Sequence, residues 1–484
     1  MKKILNVLFS LSFIALVFVG CEDRSDIAGP TSGTASYDRF VTIGNSITAG
    51  YQSGALYKSA QDFAYGKLIA KQVGASFEMP TYSDPGTGGR MELTAFNLAT
   101  STPTIVNNPN VGAPTNLTYA APYNNLGIPG ALLYDVLNAK DSLTCASALL
   151  GVPSKPNAMF NLVLRNIGTQ FEQAKALNPT LVTLWIGNND VLGFATSGGF
   201  SPTSPTPAAT FDFLYRALAD SVKSLNAKVV VANLPDVTAI PFFNTVGPKV
   251  ALGTPWTAAG VTGIYYQKHA ATAMDATAKV DSLGLLTGKV DLTLVAGSFV
   301  SFLKDTTGAA WTALAAYLKI PVSYVKPAFV DVSYPFGFHP LNPFPDVLTL
   351  DADEITTAKT ATASFNASID SIARNRGFAI VNINTFFNQI RANDKTGTYY
   401  GGIKFTTGYI SGGLFSLDGV HPSNHGHAII ANEFIKVINS KWGGNIPLVN
   451  VASIDPSFIL GKRISFDNFG IPKFQAGAFD HLLF

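Results

Sequence analysis

Ser46, in Val41-Thr42-Ile43-Gly44-Asn45-Ser46-Ile47-Thr48, and the pair in Asp418-Gly419-Val420-His421 are the residues best equipped for chemistry. A serine hydroxyl is a poor nucleophile at neutral pH unless an imidazole takes its proton, and that imidazole needs a carboxylate to fix its tautomer and stabilise its cation. His421 and Asp418 can supply those two groups, and together with Ser46 they would attack an acyl carbon. Taken alone, Gly44-Asn45-Ser46 reads equally well as a strand-to-helix turn with Ser46 as the N-cap.

Two further segments shift that balance. Asn124-Asn125-Leu126-Gly127-Ile128-Pro129-Gly130-Ala131 is a Gly-rich loop ahead of a helical stretch, and Leu181-Val182-Thr183-Leu184-Trp185-Ile186-Gly187-Asn188-Asn189-Asp190 is an apolar strand ending in Gly-x-Asn-Asp. With these, the chain resembles the SGNH/GDSL hydrolase superfamily, GDSL-like lipases and acylhydrolases, whose four blocks occur in this order. The resemblance implies Ser46 as nucleophile, His421 as general base and then acid, and Asp418 as its orienter. It also implies an oxyanion hole from the backbone N–H groups of Ser46 and Gly130 and the side-chain amide of Asn189. Preorganised neutral donors suit an oxyanion because they need not reorganise as its charge develops. Asn45 departs from the family pattern, which has Asp there; the size and a hydrogen-bonding oxygen are kept and the charge is lost.

His421-Pro422-Ser423-Asn424-His425-Gly426-His427 invites a metal reading, but Pro422 and Gly426 interrupt the run and no Cys or Glu stands nearby to complete a ligand set. No metal or organic cofactor is expected. His425 and His427 read as cap or packing residues of a helix from Gly426 to Ser440 with Asn424 as its N-cap. His269, His339 and His481 carry no motif.

The elements that must position these residues alternate. Strand candidates are Phe40–Ile43, the segment into Tyr123–Gly127, Leu181–Ile186, Lys228–Ala232 and Phe378–Ile383. Helical patterns fall at Asp62–Val73, Ala131–Asn138, Asn161–Leu177, Phe211–Leu225 and Thr357–Arg376. Such alternation predicts an α/β fold with a central parallel sheet between two helical layers. The resemblance narrows this to the flavodoxin-like three-layer α/β/α sandwich of SGNH hydrolases. Met91–Tyr119 and Thr196–Thr210, rich in Asn, Ser, Thr and Pro, read as surface loops, the second bordering the pocket. Gly86-Thr87-Gly88-Gly89-Arg90 lacks the Lys-Ser/Thr ending of a phosphate loop and reads as a flexible loop near the site.

The expected division is a signal peptide over 1–20, a tether over 21–36, a hydrolase domain over 37–444 and a C-terminal extension over 445–484. The domain carries a largely helical insertion at about 241–353, with helix-compatible stretches Tyr265–Leu283, Val295–Leu303 and Trp311–Leu318. Its aromatic, Pro-rich run Tyr334–Pro345 is either ordinary packing or the wall of a cap over Ser46. Lys2 and Lys3 followed by an apolar run from Ile4 to Val19 and Phe18-Val19-Gly20-Cys21 resemble a bacterial lipobox, which would make Cys21 the lipidated N-terminus. Cys145 would then be the sole thiol of the mature chain.

A net charge of +2 with 13% charged residues offers no basic stripe, which argues against nucleic acid as a partner. The composition, 47% hydrophobic with 34 Phe, suits a large core and apolar binding surface. The expectation is an extracytoplasmic serine esterase or lipase held to a bacterial membrane, the outer one first, by its N-terminal lipid. It would cleave small-molecule or lipid esters through an acyl-enzyme. The alternatives are an O-deacetylase acting on acylated glycans and a non-catalytic binding lipoprotein on the same fold. Oligomeric state is not legible in the sequence.

Overall fold

Three short runs, Phe40-Val41-Thr42-Ile43-Gly44, Leu181-Val182-Thr183-Leu184-Trp185 and Val229-Val230-Val231-Ala232, are apolar almost without interruption. Such runs form strands when both faces are covered. In the computed structural model, which describes residues 30–97, 102–151, 154–199, 204–247, 264–268, 279–282, 290–456 and 473–474, they are the centre of a five-stranded sheet. Its strands are β1 (Phe40–Gly44), β2 (Asn125–Gly127), β3 (Leu181–Trp185), β4 (Lys228–Ala232) and β5 (Ala379–Val381), side by side in the order β2-β1-β3-β4-β5. Every pairing is parallel, with Thr42 opposite both Asn125 and Thr183, and Val230 opposite both Thr183 and Ala379.

Helices cover both faces, as expected of an α/β/α sandwich. On one, α2 (Tyr65–Val73) packs on α8 (Asn424–Trp442), with the Tyr65 and Phe434 rings stacked at 4.9 Å. On the other, α5 (Ala208–Lys223) packs on α6 (Ala352–Asn375). Phe211, Tyr215, Leu218, Ala219 and Val222 line the buried stripe of α5 at helical spacing, and Phe211 stacks on Phe365 at 3.9 Å. α6 starts at a capping box in which Asp351 accepts from the N–H of Glu354 while the Glu354 carboxylate accepts from the N–H of Asp351. The order of the sheet reverses between β1 and β3, and ligand sites of open α/β sheets gather at that reversal.

Several expectations need correction. The helix expected over Asn161–Leu177 is two, Met159–Leu164 and α3 (Gln170–Ala176), because Arg165 and Asn166 turn left-handed at φ 51 and 61. The second starts afresh at a Thr169/Glu172 capping box, which is legible as Thr-x-x-Glu. Over Ala131–Asn138 only Asp135–Asn138 is helical. The loop expected from Met91 to Tyr119 begins as a β-hairpin, Met91–Asn97 against Thr102–Asn107, to which Lys473–Phe474 adds a parallel third strand. Its alternation, with Met91, Leu93 and Ala95 buried and Glu92 and Thr94 half-buried, is period two; the polar composition hid it. Ser423, not Asn424, caps α8, its hydroxyl accepting from the Gly426 N–H at 3.0 Å.

Among its described residues the insertion holds strands as well as helices. Tyr265–Lys268 pairs antiparallel with Lys279–Ser282, and Val290–Leu292 with Thr349–Asp351; Val295–Phe302 forms two 3₁₀ turns; a helix spans Ala309–Leu318. Short apolar runs do not distinguish strand from helix by periodicity alone. Phe336 and Phe344 of the aromatic run pack inward while Tyr334 is exposed: Phe336 meets Trp311 edge-on at 6.1 Å, and the Trp311 indole N–H donates to the Asn342 side chain at 2.8 Å. Arg90 is no mobile phosphate ligand, since its buried guanidinium pairs with Asp84 at 2.9 Å and with Glu92. The expected signal peptide and Cys21 lie outside the described residues, as does much of the tether and of the C-terminal extension.

Candidate active site

β1 delivers Ser46. The strand ends at Gly44, where a side chain would come within 2.6 Å of the Trp185 carbonyl oxygen and closer still to the Thr48 hydroxyl, so glycine is needed for close approach. Asn45 follows as the N-cap of the four-residue α1 (Ser46–Ala49), its side-chain oxygen accepting from the Ile47 N–H at 3.2 Å. Ser46 is therefore the first helical residue and not the cap. Asn45 is buried, and its amide nitrogen has no hydrogen-bond partner. Capping needs only the oxygen, which explains how the position accommodates Asn in place of the usual Asp.

The other partners come from the loop before α8. Asp418 folds its carboxylate back over its own turn, Oδ1 accepting from the N–H groups of Val420 and His421, both at 2.9 Å. Oδ2 receives Nδ1 of His421 at 2.9 Å, and Nε2 of His421 stands 2.9 Å from Ser46 Oγ. An ionised carboxylate only accepts, so the imidazole proton sits on Nδ1 and the lone pair of Nε2 faces the serine hydroxyl. Burial alone would push Asp418 up. The electrostatic attraction between the carboxylate and the imidazole, the ring hydrogen bond and the two backbone donors outweigh it and hold the group below the ordinary carboxylate range. The Tyr51 ring packs against the imidazole with centroids 4.9 Å apart, and His427 lies fully buried behind it. Burial, then the nearby His421, pushes His427 down to about 3, so it is neutral.

Gly130 and Asn189 leave the neighbouring strands β2 and β3 at the same edge. Ile128 donates to the Gly44 carbonyl at 3.1 Å, and Ala131 closes a turn onto Ile128 at 3.1 Å. Pro129 and Gly130 are the central residues of that turn, with Gly130 at φ 80, the conformation that favours glycine at the third position of a type II turn. The Asn189 side-chain amide donates to the Ala131 carbonyl at 2.9 Å, which spends one of its two hydrogens and orients the other.

Two buried carboxylates underneath were not singled out from the sequence. Asp190 accepts from the Leu133 N–H at 2.9 Å and from the Thr206 hydroxyl at 2.9 Å, and Asp135 accepts from the N–H groups of Leu132 at 2.8 Å and Ala146 at 2.7 Å. Burial raises both, Asp190 to about 6 and Asp135 to about 7, the latter pushed further by Asp190. Thr206 lies in the stretch expected to border the pocket, and that stretch folds back onto the Asn189-Asp190 turn. The local Gly-x-Asn-Asp block pointed to Asp190; nothing local pointed to Asp135.

Described residues of the insertion reach the turn that carries His421. The Phe242 N–H donates to the Gly419 carbonyl at 3.0 Å, and Leu294 flanks Gly419, which sits inside the Asp418–His421 turn at φ 70.

No curated protein sequence matches the chain. Among solved structures, a chain from Parabacteroides merdae ATCC 43184 described as a GDSL-like lipase is distantly similar, with 13% identity and a TM-score of 0.31 over 84% of this chain and 94% of that one. The family model of the GDSL-like lipases and acylhydrolases matches residues 40–281 and 298–434, spanning every block from Ser46 to His421. A match over most of its length places this α/β/α chain among them: it belongs to the GDSL-like Lipase/Acylhydrolase family.

Proposed function

We propose that the protein hydrolyses carboxylic esters through an acyl-enzyme on Ser46. The observation that carries this is the unbroken chain from Ser46 Oγ through the imidazole of His421 to Asp418, with both links at 2.9 Å. Ser46 Oγ attacks the carbonyl carbon as its proton passes to His421 Nε2, and Asp418 stabilises the imidazolium. The N–H groups of Ser46 and Gly130 and the Asn189 amide hold the oxyanion. Collapse breaks the ester C–O bond, and Nε2 returns the proton to the departing alcohol. Water then loses a proton to Nε2, attacks the acyl carbon and frees the acid, and Ser46 recovers its proton from the imidazolium.

The substrate proposed is an apolar acyl or aryl ester, a reading supported by Phe242 and Leu294 standing beside the His421 turn. A fluorophosphonate should label Ser46 covalently. Labelling should disappear in Ser46→Ala and fall strongly in His421→Ala, and a folded protein that stays unlabelled rules the enzyme out. Rates on acetyl, octanoyl and palmitoyl esters should exceed acetate release from acetylated xylan; the reverse order makes it a glycan deacetylase.

We also propose attachment to a bacterial membrane through a lipid on Cys21. On this reading the active edge faces away from the anchoring bilayer. Thr34 donates to the Trp442 carbonyl at 2.9 Å and Asn445 to Thr31, so the N-terminal segment joins the domain at the C-terminal end of α8. His421 precedes the other end of that 19-residue helix, about 28 Å away. Mass spectrometry of the mature N-terminus tests the anchor, and an unmodified Cys21 removes it.

A further inference from the structure

Asp418 is held from a second direction. The chain that carries the nucleophile continues past α1 into a tight turn in which Ser53 and Gly54 are both left-handed, at φ 52 and 79. Of the two successive N–H groups, one reaches the carboxylate directly and the other through a hydroxyl. Gly54 donates directly to Asp418 Oδ2 at 3.1 Å, and Ser53 donates to the Ser416 hydroxyl at 2.9 Å. That hydroxyl lies 3.0 Å from Asp418 Oδ1. A backbone N–H can only donate, so the Ser416 oxygen accepts from Ser53 and its own hydrogen is directed onto Asp418. The tie is closed by Leu417, whose N–H donates to the Ser53 hydroxyl at 3.2 Å, and by the Gln52 amide, which donates to the Asn424 side chain at 2.9 Å. Ser53, Ser416 and Asp418 are all buried. These bonds join the turn that follows Ser46 and α1 to the loop that presents His421.

Resting on the assignment of Ser46, His421 and Asp418 above, we propose that Ser416, directed by the Ser53–Gly54 turn, is a positioning residue that aims the Asp418 carboxylate at His421 and sets how much of its charge reaches the imidazole. Hydrogen bonds from Ser416 and Gly54 spread that charge. Removing one concentrates it on His421, which then keeps its proton more tightly, and frees the carboxylate to rotate. The other titratable groups around the pair stay neutral in an assay. Burial raises Tyr51, Tyr57 and Tyr409, all three helped by Asp418, with Ser53 and Arg90 opposing the rise at Tyr57; His427 titrates at about 3. Asp190 and Asp135, at about 6 and about 7 beneath the Asn189 turn, are common to wild type and variant, so a limb that moves between the two reports the Asp418–His421 pair.

The test is Ser416→Ala, with active sites counted by fluorophosphonate titration. For p-nitrophenyl acetate, kcat should fall about tenfold with KM within about twofold, and the acidic limb of the kcat profile should move to higher pH. Ser416→Thr, which restores a hydroxyl, should recover both. A role limited to stability would lower Tm and leave the limb and the per-site kcat unchanged, and that result overturns the proposal. If Ser416→Ala does not fold, Ser416→Cys, a weaker donor of similar size, should move the limb in the same direction, and an unmoved limb is equally fatal. Should the wild-type protein itself not turn over esters, the esterase reading fails separately. The positioning role is then read from the His421 Nδ1–H proton resonance, whose titration midpoint should rise in Ser416→Ala; an unshifted midpoint overturns it.

Discussion

Asp190 accepts the N–H of Leu133 at 2.9 Å and so fastens the turn after β3 to the loop after β2. The two segments that supply Asn189 and Gly130 are set by one buried carboxylate rather than by two independent loops. Asn189 repeats the link from its own side chain to Ala131. On the proposed mechanism, removing that side chain strips an oxyanion donor and one strut at once. Asn189→Ala should lower kcat by about 10²–10³ with a small change in Tm; a loss of less than about fivefold would take Asn189 out of the oxyanion hole.

Asp135 and Asp190 also tie stability to pH. Their folded values, about 7 and about 6, lie above the ordinary aspartate value of 3.8. Between about pH 4 and pH 7 the folded chain therefore keeps protons that the unfolded chain releases, and unfolding free energy from these groups falls as pH rises through that window, levelling off above it. The fall is on the order of a few kcal/mol. Asp135→Asn should flatten it in urea titrations run from pH 4 to 8, and an unchanged slope would contradict the buried-acid account.

Gly44 and Gly74 should differ sharply. A methyl at Gly44 would press on the Trp185 carbonyl and Thr48, whereas at Gly74, φ 67, nothing lies within 4 Å and only backbone strain opposes it. Gly74→Ala should cost about 1 kcal/mol. Gly44→Ala should cost about 2 kcal/mol or more and displace α1 with Ser46. Comparable melting temperatures, with activity kept in both, would refute the close-approach reading.

Asn45→Asp should keep the cap and leave kcat within about threefold, while Asn45→Ala should lose about 1 kcal/mol of stability. A rise of tenfold or more in Asn45→Asp would show that the family's usual carboxylate does more than cap.

The aromatic run of the insertion is predicted to be packing. Phe336→Ala should cost about 3–5 kcal/mol and leave acyl-chain preference alone. A changed preference between acetyl and octanoyl esters, with stability intact, would restore it as a pocket wall.

Residue types at short spacing were legible throughout. Asp418-Gly419-Val420-His421 carries its geometry within four residues, because the carboxylate caps the backbone of its own turn. β1, β3 and β4 announced themselves as apolar runs because parallel strands are covered on both faces. The hairpin at Met91 was equally present as an alternation, but its Asn- and Thr-rich surroundings pointed to a loop. The Tyr265–Leu283 stretch reads as helix-compatible, yet Tyr265–Lys268 and Lys279–Ser282 pair as strands, each too short to show a period.

What no window of sequence contains is which parallel strand lies beside which. Sheet order places β1 between β2 and β3, and so brings Ser46 beside Gly130 and Asn189 at one edge. It takes the whole domain to seat His421 against Ser46 across 375 residues, and to turn Ser53, Ser416 and Asp135 from unremarked polar residues into buried partners. Motif chemistry is local because covalent spacing sets it. The assembly of those motifs is tertiary, because the pairings and crossovers that bring them together join segments far apart in the chain.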